Sequence, residues 1–71
     1  MKVPIHKILL AFHNANQAVI ANGGFGLERH KHKDAFEQLH NVKIIQSNWG
    51  NWDELEFSSE NDFLMFYLKW S

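Results

Sequence analysis

Apolar residues Ile5, Ile8, Leu9, Phe12, Ala15, Val19 and Ile20 recur at helical spacing between Pro4 and about Ala21, and Pro4 suits a first helical turn because its missing N–H would be unpaired there anyway. The pattern predicts a first helix, closed by Asn22-Gly23-Gly24, where glycine can take the left-handed cap conformation. Phe25-Gly26-Leu27 reads as a connector with two apolar anchors. The polar run Glu28 to Asp34 then leads into a shorter second helix with a narrow stripe of Ala35, Phe36 and Leu39, ended by Asn41. Val42-Lys43-Ile44-Ile45-Gln46 is rich in β-branched residues and predicts a strand. Trp52 to Phe57 alternates strictly, which predicts a second strand with Leu55 and Phe57 facing the core and Trp52, Glu54 and Glu56 on the opposite side. Ser47 to Asn51 has the composition of a turn, so the two strands are expected to form an antiparallel hairpin.

The final run Phe63-Leu64-Met65-Phe66-Tyr67-Leu68 is continuously apolar, and periodicity alone does not separate a buried strand from a buried helix. The flanks favour helix. Ser58 or Ser59 can cap it, Glu60 and Asp62 occupy the first turn where the helix dipole favours anions, and Lys69 lies in the last. Phe63, Phe66, Tyr67 and Trp70 then share one face, while Leu64, Met65 and Leu68 leave the helix apolar nearly all round. One side therefore needs cover, from the rest of the domain or from a second copy. The expected fold is one α+β domain spanning 1–71, in the order helix, helix, strand, strand, helix. Its antiparallel hairpin packs against the N- and C-terminal helices, with residues 25–29 as a candidate third strand.

With 71 residues the chain has room for one core, since a domain of this size buries only about 60% of its unfolded surface. It contains no cysteine, which excludes disulfides and thiolate metal sites and fits a reducing compartment. The early apolar run Ile8 to Phe12 is too short and too interrupted for a secretory signal, and no stretch is long enough for a membrane span, so a cytoplasmic protein without membrane contact is expected. The net charge of −1 hides an asymmetry. Residues 1–43 carry six Lys and Arg against three carboxylates, a net +3, and all five histidines; residues 44–71 carry only Lys69 against five carboxylates, a net −4. The molecule is either a dipole with a basic face or a fold in which the two halves lie together and partly cancel.

The C-terminal stretch runs from Phe57 through Ser58, Ser59 and an acidic cap to Phe66, Leu68 and Trp70. It resembles the end of many short uncharacterised proteins from tailed bacteriophages, in which a strand leads through an acidic cap into a terminal helix of the form Phe-x-Leu-x-Trp. The likeness covers about a fifth of the chain and is mostly a packing pattern. It implies a small viral protein made in the cytoplasm of a bacterial host, of a class that often acts by binding host proteins, and it carries over no catalytic or binding residue.

Among candidate sites, Asn48-Trp49-Gly50-Asn51-Trp52 is foremost: two indoles flank a turn, and Trp is enriched at binding hot spots because it buries much area at little entropy cost. Trp49 and Trp52 would anchor a protein partner, with Asn51 beside them and Asp53 and Glu54 steering a basic surface. The competing expectation is that one or both indoles fold over the core as a lid. The basic segment Arg29-His30-Lys31-His32-Lys33 offers Arg29, Lys31 and Lys33 to phosphate or an acidic surface, but it is short and stands in a chain of pI near 6.5, so nucleic acid is the less favoured partner. His30, His32 and His40 lack the spacing of a recognised metal site, and no metal or cofactor is expected. No nucleophile-and-base pattern or phosphate loop is present in the sequence, and Gly23 to Gly26 lack the strand-to-helix context of one, so the expected function is non-catalytic.

Overall fold

The computed structural model describes residues 1–24 and 29–71. It shows an α+β fold: β1 (Lys2–Pro4), a 3-10 turn (Ile5–Lys7), α1 (Leu9–Val19), α2 (Arg29–His40), β2 (Lys43–Gln46), β3 (Trp52–Glu56) and α3 (Glu60–Trp70). The strands form one antiparallel sheet in the order β1-β3-β2. None of the helices among the described residues is long and apolar enough to cross a membrane.

The chain start departs from the helical pattern. Pro4 ends a strand, with φ −61° and ψ 130°, and the first α-helix begins only at Leu9. Pairing explains the difference: Val3 lies opposite Leu55 in β3 and contributes to the core, while Pro4 occupies an outer strand, where a missing N–H is tolerated. Residues 25–28, which include the apolar connector, lie outside the described residues. Arg29, the last residue of the candidate strand, starts α2 instead, so the sheet's third strand is β1.

Cross-strand register sorts the two sheet faces. Val3, Leu55 and Ile44 stand side by side and are 7%, 0% and 3% exposed. The neighbouring row, Lys2, Glu56 and Lys43, points the other way and alternates in charge, the arrangement that favours cross-strand pairing. The helices cover the apolar face. Ala11, Ala15 and Val19 of α1, Phe36 of α2 and Phe66 of α3 join Leu55 and Phe57 in a single core. Small residues at Ala11 and Ala15 let α1 pack closely against both α2 and α3.

The start of α3 and the end of α2 follow the sequence signals. Ser59 caps α3, its hydroxyl accepting from the Asp62 N–H at 3.2 Å, with Glu60 and Asp62 in the first turn. Asn41 stops α2 in the left-handed conformation at φ 53°.

Strict alternation fails at the start of β3. Ile45 pairs with Glu54 but Gln46 pairs with Trp52, leaving Asp53 as an extra residue, a β-bulge. The bulge shifts the side-chain parity by one, so Trp52 joins Leu55 and Phe57 on the core side rather than Glu54 and Glu56 on the outer side.

Candidate interaction surfaces

The hairpin tip is built by Ser47. Its N–H donates to the Asn51 carbonyl at 2.8 Å and its carbonyl accepts from the Gly50 N–H at 3.0 Å. Its hydroxyl accepts from the backbone N–H groups of Trp49 and Asn51, each at 3.3 Å. Gly50 takes φ 80°, a conformation costly for residues with a Cβ, and its carbonyl accepts from the Gln46 side-chain amide at 3.1 Å. This bonded loop projects Trp49 outwards with 89% of its surface exposed, the largest exposed fraction among the large apolar residues described. Asn51 and Asp53 are exposed beside it, and Glu54 is half-buried on the outer sheet face.

Trp52 behaves differently from its neighbour. Its indole meets Phe12 edge-on at 5.9 Å between ring centroids, Phe36 at 5.9 Å and His32 at 5.8 Å. It is a lid over the α1–α2 end of the core, and its buried Nε1–H has no hydrogen-bond partner among the described residues. As a free anchor for a partner, the structure offers Trp49 and withholds most of Trp52.

The basic segment forms the first turns of α2 rather than an entry loop. Lys31 is exposed, whereas Lys33 is tied to Glu37 at 3.2 Å; the side chains of Arg29 and His30 lie outside the described residues. His32 and His40 are both engaged inside the fold. His32 Nε2 lies 2.6 Å from the Asn16 side-chain oxygen, joining α2 to α1. His40 Nε2 lies 2.9 Å from the Ala15 carbonyl, and its ring packs on Phe36, Phe66 and Trp70. Burial pushes the His40 pKa below its usual value and Lys69 adds to that, while the bond to Ala15 opposes it. Among the described residues, no group of three or more His, Cys, Asp or Glu side chains is placed to share a metal ion.

The third feature is α3. Phe66 is buried, and Phe63 and Trp70 pack against the core. At about 100° per residue, Leu64, Met65 and Leu68 then fall on the side away from it, and they are 46%, 64% and 77% exposed. Tyr67 on α3 and Leu39 on α2 are also partly exposed. A cleft of about 240 Å³ separates the end of α2 from α3, with Leu39, His40, Asp62, Met65 and Lys69 among its walls.

Both sheet edges are blunted. β1 is three residues long and ends in proline. At the other edge Glu37 reaches from α2 and accepts from the Ile44 N–H at 2.7 Å, occupying a donor that an added strand would need. Side-chain surfaces among the described residues, the hairpin tip and the outer face of α3 included, are therefore more open to a macromolecular partner than the strand edges.

No protein family, curated protein or solved structure matches the chain.

The α3 surface was foreshadowed by its all-round apolarity. The bulge at Asp53 had no sequence signal, because alternation continues through it without a glycine or proline. The burial of His40 was equally silent, since its bond partner is a backbone carbonyl 25 residues away.

Proposed function

We propose that this chain is a non-catalytic protein-binding domain whose hairpin tip carries the principal contact. The observation behind the reading is Trp49: a large, rigid side chain almost wholly exposed at the apex of a loop held by Ser47. A preorganised loop loses little conformational freedom on binding, and tryptophan is among the residues enriched at hot spots, where it fills a partner's pocket. Asp53 and Glu54 follow it in the chain and favour a partner with a basic rim. The resemblance of the last segment to tailed-bacteriophage proteins points to a protein of the bacterial host as that partner, met in the host cytoplasm.

The test is affinity capture from bacterial lysate with the intact chain and with Trp49→Ala, each with and without nuclease. A stoichiometric protein that survives nuclease and is lost with Trp49→Ala is the expected result. Capture that is unchanged by Trp49→Ala removes the hairpin tip from the reading, and capture that nuclease abolishes transfers it to the basic face of α2.

A second reading has its own observation. The outer face of α3 presents three large exposed apolar side chains that nothing among the described residues covers, which favours a homo-oligomer joined through that helix.

A further inference from the structure

The pattern on α3 says more than that the helix is apolar. Asp62 and Lys69 are seven residues apart, two turns of helix, and so lie on the same flank about 10 Å apart along the axis. That separation is too long for a pair within the helix, and Lys69 instead lies over the Trp70 ring at 5.1 Å. Met65 sits on the same flank between them, with Leu68 and Leu64 rising beside it.

A two-fold axis perpendicular to two antiparallel helices brings like flank against like flank. With the axis between residues 65 and 66, Asp62 of one copy comes level with Lys69 of the other, and the same pair repeats at the opposite end. In that register Leu68 of each copy falls between Asn61 and Leu64 of its neighbour, so the apolar side chains interdigitate rather than collide. A parallel two-fold pairing lacks this property, because it puts the Asp62–Lys69 flanks of the two copies on opposite sides of the seam.

We infer that the occupant of this face is a second copy of the chain, bound as a two-fold dimer in which the α3 helices cross antiparallel. Leu64, Met65 and Leu68 form its apolar centre and two reciprocal Asp62–Lys69 pairs form its rim. Leu39 stands across the cleft from Met65 and extends the apolar area onto α2. One short helix and its neighbour make a small interface, at the weak end of specific association, so the dimer is concentration-dependent. The inference rests on the reading of α3 as an oligomerising face and is independent of Trp49.

Sedimentation velocity over a concentration series, with circular dichroism as the check on folding, tests both levels. The intact chain is expected to pass from monomer to dimer, and Leu68→Glu, at an exposed position, to remain a folded monomer. Asp62→Lys places like charges opposite one another at both rims, as does Lys69→Asp, and each alone should weaken the dimer by roughly tenfold or more. Mixed in equal amounts, the two variants regain opposite charges at both ends, and the mixture should dimerise as a heterodimer at concentrations where each component alone is mainly monomer. An intact chain that stays monomeric throughout overturns both the oligomer and its geometry. A dimer that tolerates each charge variant, or that the mixture fails to restore, overturns the antiparallel arrangement alone.

Discussion

Trp49 and Trp52, two tryptophans three residues apart, have opposite roles, and the difference arises at Asp53. By inserting an unpaired residue, the bulge turns Trp52 inward onto Phe12 and Phe36 while the Ser47 loop turns Trp49 outward. The two Ala variants should therefore separate cleanly in chemical denaturation. Trp49→Ala, which removes a side chain with almost no intramolecular contact, should shift stability by no more than about 0.5 kcal/mol. Trp52→Ala opens a hole beside Phe36 and should cost about 3 kcal/mol. Equal effects would show that both rings are core or that both are surface. Composition and turn chemistry made the tip legible as a turn flanked by two tryptophans. They left undecided which indole was exposed, because a bulge depends on how two strands align and not on the residues of one strand.

Elements were easier to read than their joints. The hairpin and the capped C-terminal helix rest on local signals and stand where their patterns placed them, whereas α2 begins at Arg29, inside the polar run read as its approach, and leaves Leu39 of its apolar stripe exposed. The first strand was hidden because three residues are too few to show alternation, and because Ile5 and Ile8 continue the helical spacing of α1 backwards. What holds β2 in place was hidden too, since it is a side chain from another element. Glu37 accepts from Ile44 N–H at 2.7 Å and from the Lys33 ammonium at 3.2 Å, while its own carbonyl accepts from Val42 N–H at 3.2 Å. The end of α2 is thus stitched to the edge of the sheet. Glu37→Ala leaves the Ile44 amide without its partner and should cost about 1–3 kcal/mol. Glu37→Gln keeps a carbonyl able to accept that bond and should recover much of the loss. A Gln variant as unstable as Ala would assign the effect to the lost charge rather than to the strand edge, and denaturant titration of the three proteins decides it.

At the scale of the whole molecule, the three helices meet at His40. From α2 its ring touches Phe66 and Trp70 of α3, and its Nε2 reaches the Ala15 carbonyl of α1. A carbonyl only accepts, so the bond requires the proton on Nε2, and burial then favours the neutral ring with the other nitrogen unprotonated. Burial is the main cause that holds the folded pKa below the ordinary value of 6.5, and the nearby Lys69 acts in the same sense. In the unfolded chain the imidazole regains that ordinary value. As pH falls through about 6.5 the unfolded state therefore takes up a proton that the folded state resists, and the equilibrium moves towards unfolding. The stabilising contribution is complete above that pH and is lost on acidification towards the lower folded pKa. Urea midpoints measured from about pH 7.5 down to about pH 5.5 should accordingly decline. His40→Gln, which loses the ring contacts but has no titrating group, should be less stable at the upper end and decline less steeply. Parallel slopes in the two proteins would place the acid sensitivity elsewhere and reduce His40 to a packing residue.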